Sequence, residues 1–411
     1  MTKDRIPASG TALSVLSTLA PIVSGVFVAY LVIGLALPAI PLHVHDGLGL
    51  GAFVVGLVAG AQFTASLFSR FWSGHYADSR GGKRSMVVGL LVAFVAGLLY
   101  LLSLRFTDTP RLSVGILLVG RAILGAGESF IVSGALVWGL ALTGPQNTGK
   151  VMAWVGMAMY IAFAAGAPAG TALYAKFGFS AIALASAFIP LVNLLLIMRS
   201  PAIAPAQRVR PSFLRVIGAV WQPGLGLAFS SLGFGAITTF IILLFNHEGW
   251  PLGWLALMVF ATAFVLARLI FGHLADRFGG ARIALIFGLI ETSGLAVIWL
   301  SHWPAMALIG ATIAGFGYSL VYPGFGVEAV RSAPSESKGL ATGAYTAFLD
   351  LALGLANPAL GLVAGASGLK SVFLVSTLVV LGSSFIAVRL LTRKSVFNKV
   401  DFSPKRKDAK L

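Results

Sequence analysis

The chain has 411 residues, of which 58% are hydrophobic and only 10% charged, and its mean hydropathy is +0.93. Soluble domains carry about 25% charged residues, so these proportions exclude an ordinary water-facing fold and set most of the surface against lipid. A net charge of +16 would suggest nucleic-acid binding in a soluble protein. Here topology places the positive residues, so no nucleic-acid partner is expected. The absence of cysteine removes any disulfide framework or thiolate metal site.

The chain opens on a short polar stretch, Thr2–Gly10, that leads into an apolar run without a small-residue cleavage pattern, so no cleavable signal is expected. A bilayer-spanning helix needs about 20 apolar residues. Runs of that kind recur at Leu16–Leu42, Gly51–Ser69, Ser85–Leu104, Leu112–Leu142, Val151–Ala175 and Phe177–Met198. A second series follows at Val216–Asn246, Gly249–Ala267, Ile283–Leu300, Met306–Val327, Gly339–Gly365 and Ser371–Val388. The pattern predicts an all-α membrane protein of twelve spans, since barrel strands would alternate in short segments.

Only Arg105, Arg111, Lys176 and Lys370 fall in loops of one parity, and Arg70, Arg121 and Arg268 lie within spans. The remaining Lys and Arg lie at the termini or in loops of the other parity, which predicts that both termini are cytoplasmic. Between the two series, Arg199–Arg215 (RSPAIAPAQRVRPSFLR) breaks the apolar pattern with prolines and arginines. It reads as a linker, giving a six-span bundle over 1–198, a linker over 199–215, a second bundle over 216–392 and a basic tail over 393–411.

The two halves repeat one another. His45-Asp46-Gly47 matches His247-Glu248-Gly249, and Arg70–Arg84 matches Arg268–Arg282 with eight identities in fifteen positions. Gly149 and Pro168 match Gly339 and Pro358. Landmarks matched in order mark a duplicated bundle, and a binding site between duplicated halves is a transporter design.

Several motifs carry a resemblance. The loop G-x-x-x-D-x-x-G-G-K-R at Gly74–Arg84 resembles the signature between helices 2 and 3 of the major facilitator superfamily, with a weaker copy at Gly272–Arg282. Arg121-x-x-x-Gly125-x-Gly127 resembles the helix-4 motif, and Gly166-Ala-Pro168-Ala-Gly170 partly resembles the exporters' helix-5 motif. YLVIGLALPAIPLHVHD, LGAGESF, FLDLALG and SLVYP with FGV are similar to the YhhS-type family of bacterial inner-membrane proteins. The resemblance implies the superfamily fold, two pseudo-symmetric six-helix halves in the bacterial inner membrane, working as a monomer. It also implies that helix 4 lines the central cavity and that helices 2 and 11 meet at the junction of the halves.

Ionisable groups inside a membrane are functional candidates by default. Asp350, mid-span and matched in the first half by Tyr160, is the leading proton carrier, with Glu128 second and Arg70 the expected partner of Asp350. Arg121 and Glu128, seven residues apart on one helical face, are expected to meet the cavity, as are Tyr30, Trp138, Tyr318, Tyr322 and Tyr345. Arg268 and Glu291 flank the Gly279-Gly280 turn symmetrically and predict a structural ion pair between spans 8 and 9. Gly74, Asp78, Gly81 and Arg84, with Gly272, Asp276 and Arg282, read as a conformational latch, since an Asp near a helix end can accept bonds from a neighbouring helix N-terminus.

Metal ligation is not expected. His43, His45 and Asp46 form a tempting cluster, but the matched His247-Glu248 lacks the second His, and His75 and His273 have no third ligand nearby. No G-x-x-x-x-G-K-[ST] loop occurs, so no nucleotide cofactor is implied and energy must come from an ion gradient or from the solute's own gradient. The expectation is a proton-coupled secondary transporter of a small organic solute, with export by antiport preferred over uptake by symport. A membrane enzyme would need a convergent catalytic constellation that is not seen, and a transport-dead sensor would need a soluble output segment.

Overall fold

The computed structural model describes residues 12–144, 147–203, 213–332 and 338–401. The central part of the expected linker (204–212) and the basic run of the tail (402–411) lie outside them. The described residues form twelve long helices, each long and apolar enough to cross a membrane. The first six are α1 (Ala12–Leu42), α2 (Ala52–Arg80), α3 (Gly82–Ser103), α4 (Pro110–Thr143), α5 (Thr148–Phe177) and α6 (Phe179–Met198). The second six are α7 (Phe213–His247), α8 (Gly253–Phe271), α9 (Gly280–Trp299), α10 (Pro304–Ser332), α11 (Lys338–Ser367) and α12 (Leu369–Asp401). Helix α12 continues past the expected end of the last span, so part of the expected tail is helical. A separate turn of helix, Leu274–Phe278, precedes α9. The face carrying the α1–α2 connection is called distal below, and the face carrying the α2–α3 connection proximal.

Helix α1 packs on α4, α5 and α6, α2 packs on α4, and α3 packs on α4 and α6. The same scheme recurs six helices later: α7 on α10, α11 and α12, α8 on α10, and α9 on α10 and α12. Atomic details repeat with it. Ser129 Oγ donates to the Ser66 carbonyl at 3.0 Å, and Ser319 Oγ donates to the Phe264 carbonyl at 2.8 Å. Gly125 backs onto the Gln62 backbone and Gly315 onto the Phe260 backbone, where a Cβ would collide with a carbonyl. Close approach through small residues is how helices associate without a hydrophobic driving force between them. The two α2–α3-type turns also match, with Gly81 at φ +95° and Gly279 at φ +92°, a region open chiefly to glycine.

The halves meet along a seam where α2 lies against α11, α5 against α8, and α1 against α7. On the distal part of the α2–α11 contact, Gly56 abuts the Asn357 carbonyl, Gly60 the Gly354 carbonyl and Gly361 the Ala52 backbone. At the distal end, Asn246 Nδ2 donates to Asp46 Oδ2 at 3.2 Å across the seam.

Candidate functional site

Helix α2 carries a polar stripe on one face, Gln62, Ser66, Arg70 and Ser73, spaced by about one turn. Arg70 reaches across the seam to Asp350 of α11, its Nε donating to Oδ2 at 2.7 Å with a second contact from Nη2. Asp350 is buried, and the Arg70 side chain is 23% exposed. Glu128 of α4 is buried beside them: Tyr30 Oη of α1 donates to its Oε1, and Gln62 Nε2 donates to its Oε2 at 2.7 Å. Serines extend the Arg70 side of the site towards α4. Arg70 Nη2 donates to Ser66 Oγ at 3.5 Å, and Ser66 and Ser129 share a hydroxyl bond at 3.0 Å.

The result is a buried network of one guanidinium and two carboxylates, held by four helices from both halves. A buried charge is stabilised only by pairing and hydrogen bonding, and here one acid has the arginine while the other has neutral donors. With both acids ionised the trio carries net charge −1, and one bound proton makes it neutral. Arg70 is the partner of Asp350, as the sequence predicts; that Glu128 and Tyr30 stand beside this pair is a grouping the sequence does not predict. Gln62, Ser66 and Ser129 are additions, since attention to charged residues passes over amides and hydroxyls. Their helical spacing from Arg70 was the signal that would have found Gln62 and Ser66.

Other expectations are corrected. Arg121 is buried inside the first half, its Nε donating to the Val58 carbonyl at 3.4 Å. It faces α2 and does not join Glu128. Trp138 is fully buried where α4 crosses the start of α3 at Gly82, so it packs the bundle. Tyr322 and Tyr345 are tied to each other and to α11, with Tyr345 Oη donating to the Tyr322 carbonyl at 2.6 Å and Tyr322 Oη sharing a bond with Thr346. Tyr318 lies next to the seam, in ring contact with Phe264, which stacks on Tyr160 of the first half.

The Arg268–Glu291 pair does not form. Arg268 Nη1 donates to the Ser319 carbonyl at 2.9 Å, and Glu291 accepts from Ser230 Oγ of α7. The physical reason is that α10 lies between the two helices: α8 and α9 each pack on α10, so equal depth does not bring the side chains together. Glu291 is fully buried, and its Oε1 has no hydrogen-bond partner among the described residues.

At the proximal turns, Gly272 caps the end of α8, whereas the matched Gly74 lies inside α2, which runs on to Arg80, and Asp276, Arg84 and Arg282 are exposed. Lys83 Nζ donates to the carbonyls of Met198 and Ser200, which ties this loop to the end of α6. No metal cluster occurs among the described residues. His43 is buried and stacked on Phe179 at 4.2 Å, His45 Nδ1 meets the Leu50 carbonyl, and Asp46 is engaged by Asn246.

A twofold-repeated bundle of twelve spanning helices with a charged network at its seam defines a multi-pass membrane transporter. The chain belongs to the major facilitator superfamily, whose profile matches residues 22–258 and 251–410. It is 41% identical over 377 residues to an uncharacterized MFS-type transporter of Salmonella typhimurium, covering 92% of this chain and 97% of that protein. It is 40% identical over 365 residues to the uncharacterized MFS-type transporter YhhS of Escherichia coli, covering 89% of each. Among solved structures the fold is similar to the nucleoside transporter NupG (TM-score 0.72, 14% identity, 90% of this chain and 99% of that one). It is also similar to the human organic anion transporter TETRAN (TM-score 0.68, 15% identity, 92% and 100%). Proteins of this family are transporters and not enzymes.

Proposed function

We propose that this protein is a proton-coupled secondary transporter that moves a small organic solute across the bacterial inner membrane by alternating access, working as an antiporter that exports the solute. The observation that carries the reading is the ion pair across the seam, Arg70 of α2 with Asp350 of α11, next to the buried Glu128. A seam pair holds one arrangement of the halves. A proton on Asp350 removes the attraction to Arg70 and releases the seam, so protonation biases a two-state element, which coupling requires.

In this reading the halves move as units, residues 1–198 against 216–392, about a central solute site. The Gly74–Arg84 turn and its copy at Gly272–Arg282 act as the latch, and both termini face the cytoplasm by the distribution of Lys and Arg. The working unit is a monomer that needs only its solute, protons and the bilayer. Proton flux in proteoliposomes under an imposed solute gradient tests it. Wild-type protein acidifies or alkalinises the lumen with solute movement, whereas Asp350→Asn exchanges solute without moving protons. Proton movement undiminished in correctly inserted Asp350→Asn refutes Asp350 as the carrier and leaves Glu128 to be tested in the same way.

A further inference from the structure

Arg70 and Arg268 occupy matched positions on α2 and α8, and both helices border the seam, α2 against α11 and α8 against α5. Arg70 finds Asp350 across the seam. The residue matched to Asp350 on α5 is Tyr160, and Arg268 has no carboxylate partner among the described residues. Its guanidinium is part-buried, holds the Ser319 carbonyl through Nη1, and lies within electrostatic reach of the Tyr160 and Tyr345 hydroxyls. The second half thus keeps the cation of the seam pair and lacks the anion.

Aromatic rings line the seam on the distal side of that cation. Phe260, Phe264 and Arg268 follow one another at one-turn spacing along α8. Phe264 stacks on Tyr160 across the seam at 3.5 Å between centroids. Phe234 of α7 stacks on Tyr318 and contacts Phe260 and Phe163, so rings from both halves form one cluster. The gap remaining among Tyr160, Phe163, Phe234 and Phe260 is about 10 Å³, at the limit of what one water needs. In this conformation the rings leave no room for a solute between them.

We propose that Arg268 is the anion-binding residue of the solute site and that the solute is a planar aromatic carboxylate. Its carboxylate takes the place that Asp350 holds in the matched pair, in the forked geometry a guanidinium offers. Its ring inserts among Tyr160, Phe264, Phe234 and Tyr318, replacing the ring–ring contacts they make with each other. Arg121 is no rival for this role, because it is buried against Val58 within the first half. The assignment deepens the transporter reading by naming its substrate class, but it does not depend on proton coupling.

Equilibrium binding of radiolabelled 2-naphthoate to the purified full chain, at about pH 7.5 where a free carboxylate is ionised, tests it. Benzoate should compete, whereas acetate (charge without ring), benzyl alcohol (ring without charge) and benzylamine should not. Arg268→Gln should weaken binding by about tenfold or more, and Arg268→Glu should reverse the preference towards benzylamine, which a merely structural arginine would not do. Tyr160→Asp, which places a carboxylate opposite Arg268, should weaken binding as Arg268→Gln does, while Tyr160→Phe should retain it. This pair carries the test if the Arg268 variants do not fold. Absence of 2-naphthoate binding to the wild type, or equal binding by folded Arg268→Gln, overturns the assignment. Binding through Arg268 without proton movement would instead sink the coupling reading and leave this one standing.

Discussion

Replacing Asp350 by Asn tests the seam most directly. The variant keeps the shape of the side chain and one oxygen for the Arg70 Nε, but loses the carboxylate charge and one acceptor. Removing one member of a buried ion pair costs about 3–5 kcal/mol, and a hydrogen bond to a charged group is worth about 1.5–3 kcal/mol. Arg70 is 23% exposed and asparagine retains one bond, so the lower range applies. Because the two residues sit in different halves, the loss falls on the seam and not on the packing of either bundle. A cost of about 1.5–3 kcal/mol shifts the balance of conformations about tenfold to 150-fold away from this one. The described contacts of α2 with α11 run along the distal part of the seam, so the distal face should open. The chain has no cysteine, so spin labels at Asp108→Cys and Trp303→Cys, in exposed distal loops of opposite halves, report without background. Electron–electron distance measurements should show a longer population rising in Asp350→Asn. Unchanged distances in the folded variant, or widening at the proximal face instead, would refute the reasoning.

Gly125→Ala and Gly315→Ala should each cost about 1–3 kcal/mol in denaturant unfolding in mixed micelles, because each Cβ meets a backbone carbonyl of the neighbouring helix that cannot move aside alone. Ser129→Ala and Ser319→Ala should cost about 1 kcal/mol each by the same measurement, and by similar amounts, since each removes the copy of one hydrogen bond. A double-mutant cycle on Arg268→Gln and Glu291→Gln should give a coupling energy below about 0.5 kcal/mol, as for residues without a shared partner. A coupling of several kcal/mol would mean that the two pair in a conformation other than this one.

Much of the fold was legible in the sequence because it follows from charge and hydropathy alone. Each span is a long run that lipid forces into a helix, and the copied turn at Arg70–Arg84 and Arg268–Arg282 revealed the duplication. The Arg70–Asp350 pair was also within reach, because depth along two helices can be counted from the nearest loop at about 1.5 Å per residue. Depth is only one coordinate, however. Arg268 and Glu291 stand level, but the helix between them is fixed by the packing order of the bundle, which no local pattern shows. The direction of a side chain around its helix is equally hidden when nearly every position is apolar, so Trp138 read as a cavity residue and packs the crossing of α3 and α4. Phe163, Phe234, Phe260 and Phe264 were invisible for the opposite reason: among 29 phenylalanines nothing marks those that face the seam.

The duplication separates scaffold from chemistry. Where both copies keep the same residue, as at Gly81 and Gly279, Gly125 and Gly315, or Ser129 and Ser319, the residue serves a helix crossing or a turn that both bundles need. Where the copies differ at a buried position, packing symmetry cannot be the reason. Asp350 answers to Tyr160, and Glu128 to Tyr318. In both cases the carboxylate lies in the Arg70 network and its aromatic counterpart lies in the ring cluster beside Arg268. The pseudo-twofold arrangement thus carries two different environments at one seam: a set of acids that can take a proton, and a set of rings around a cation that lacks its acid. In the exchange proposed above, the acids take the proton and the rings with Arg268 take the solute, while one movement of the halves exposes both.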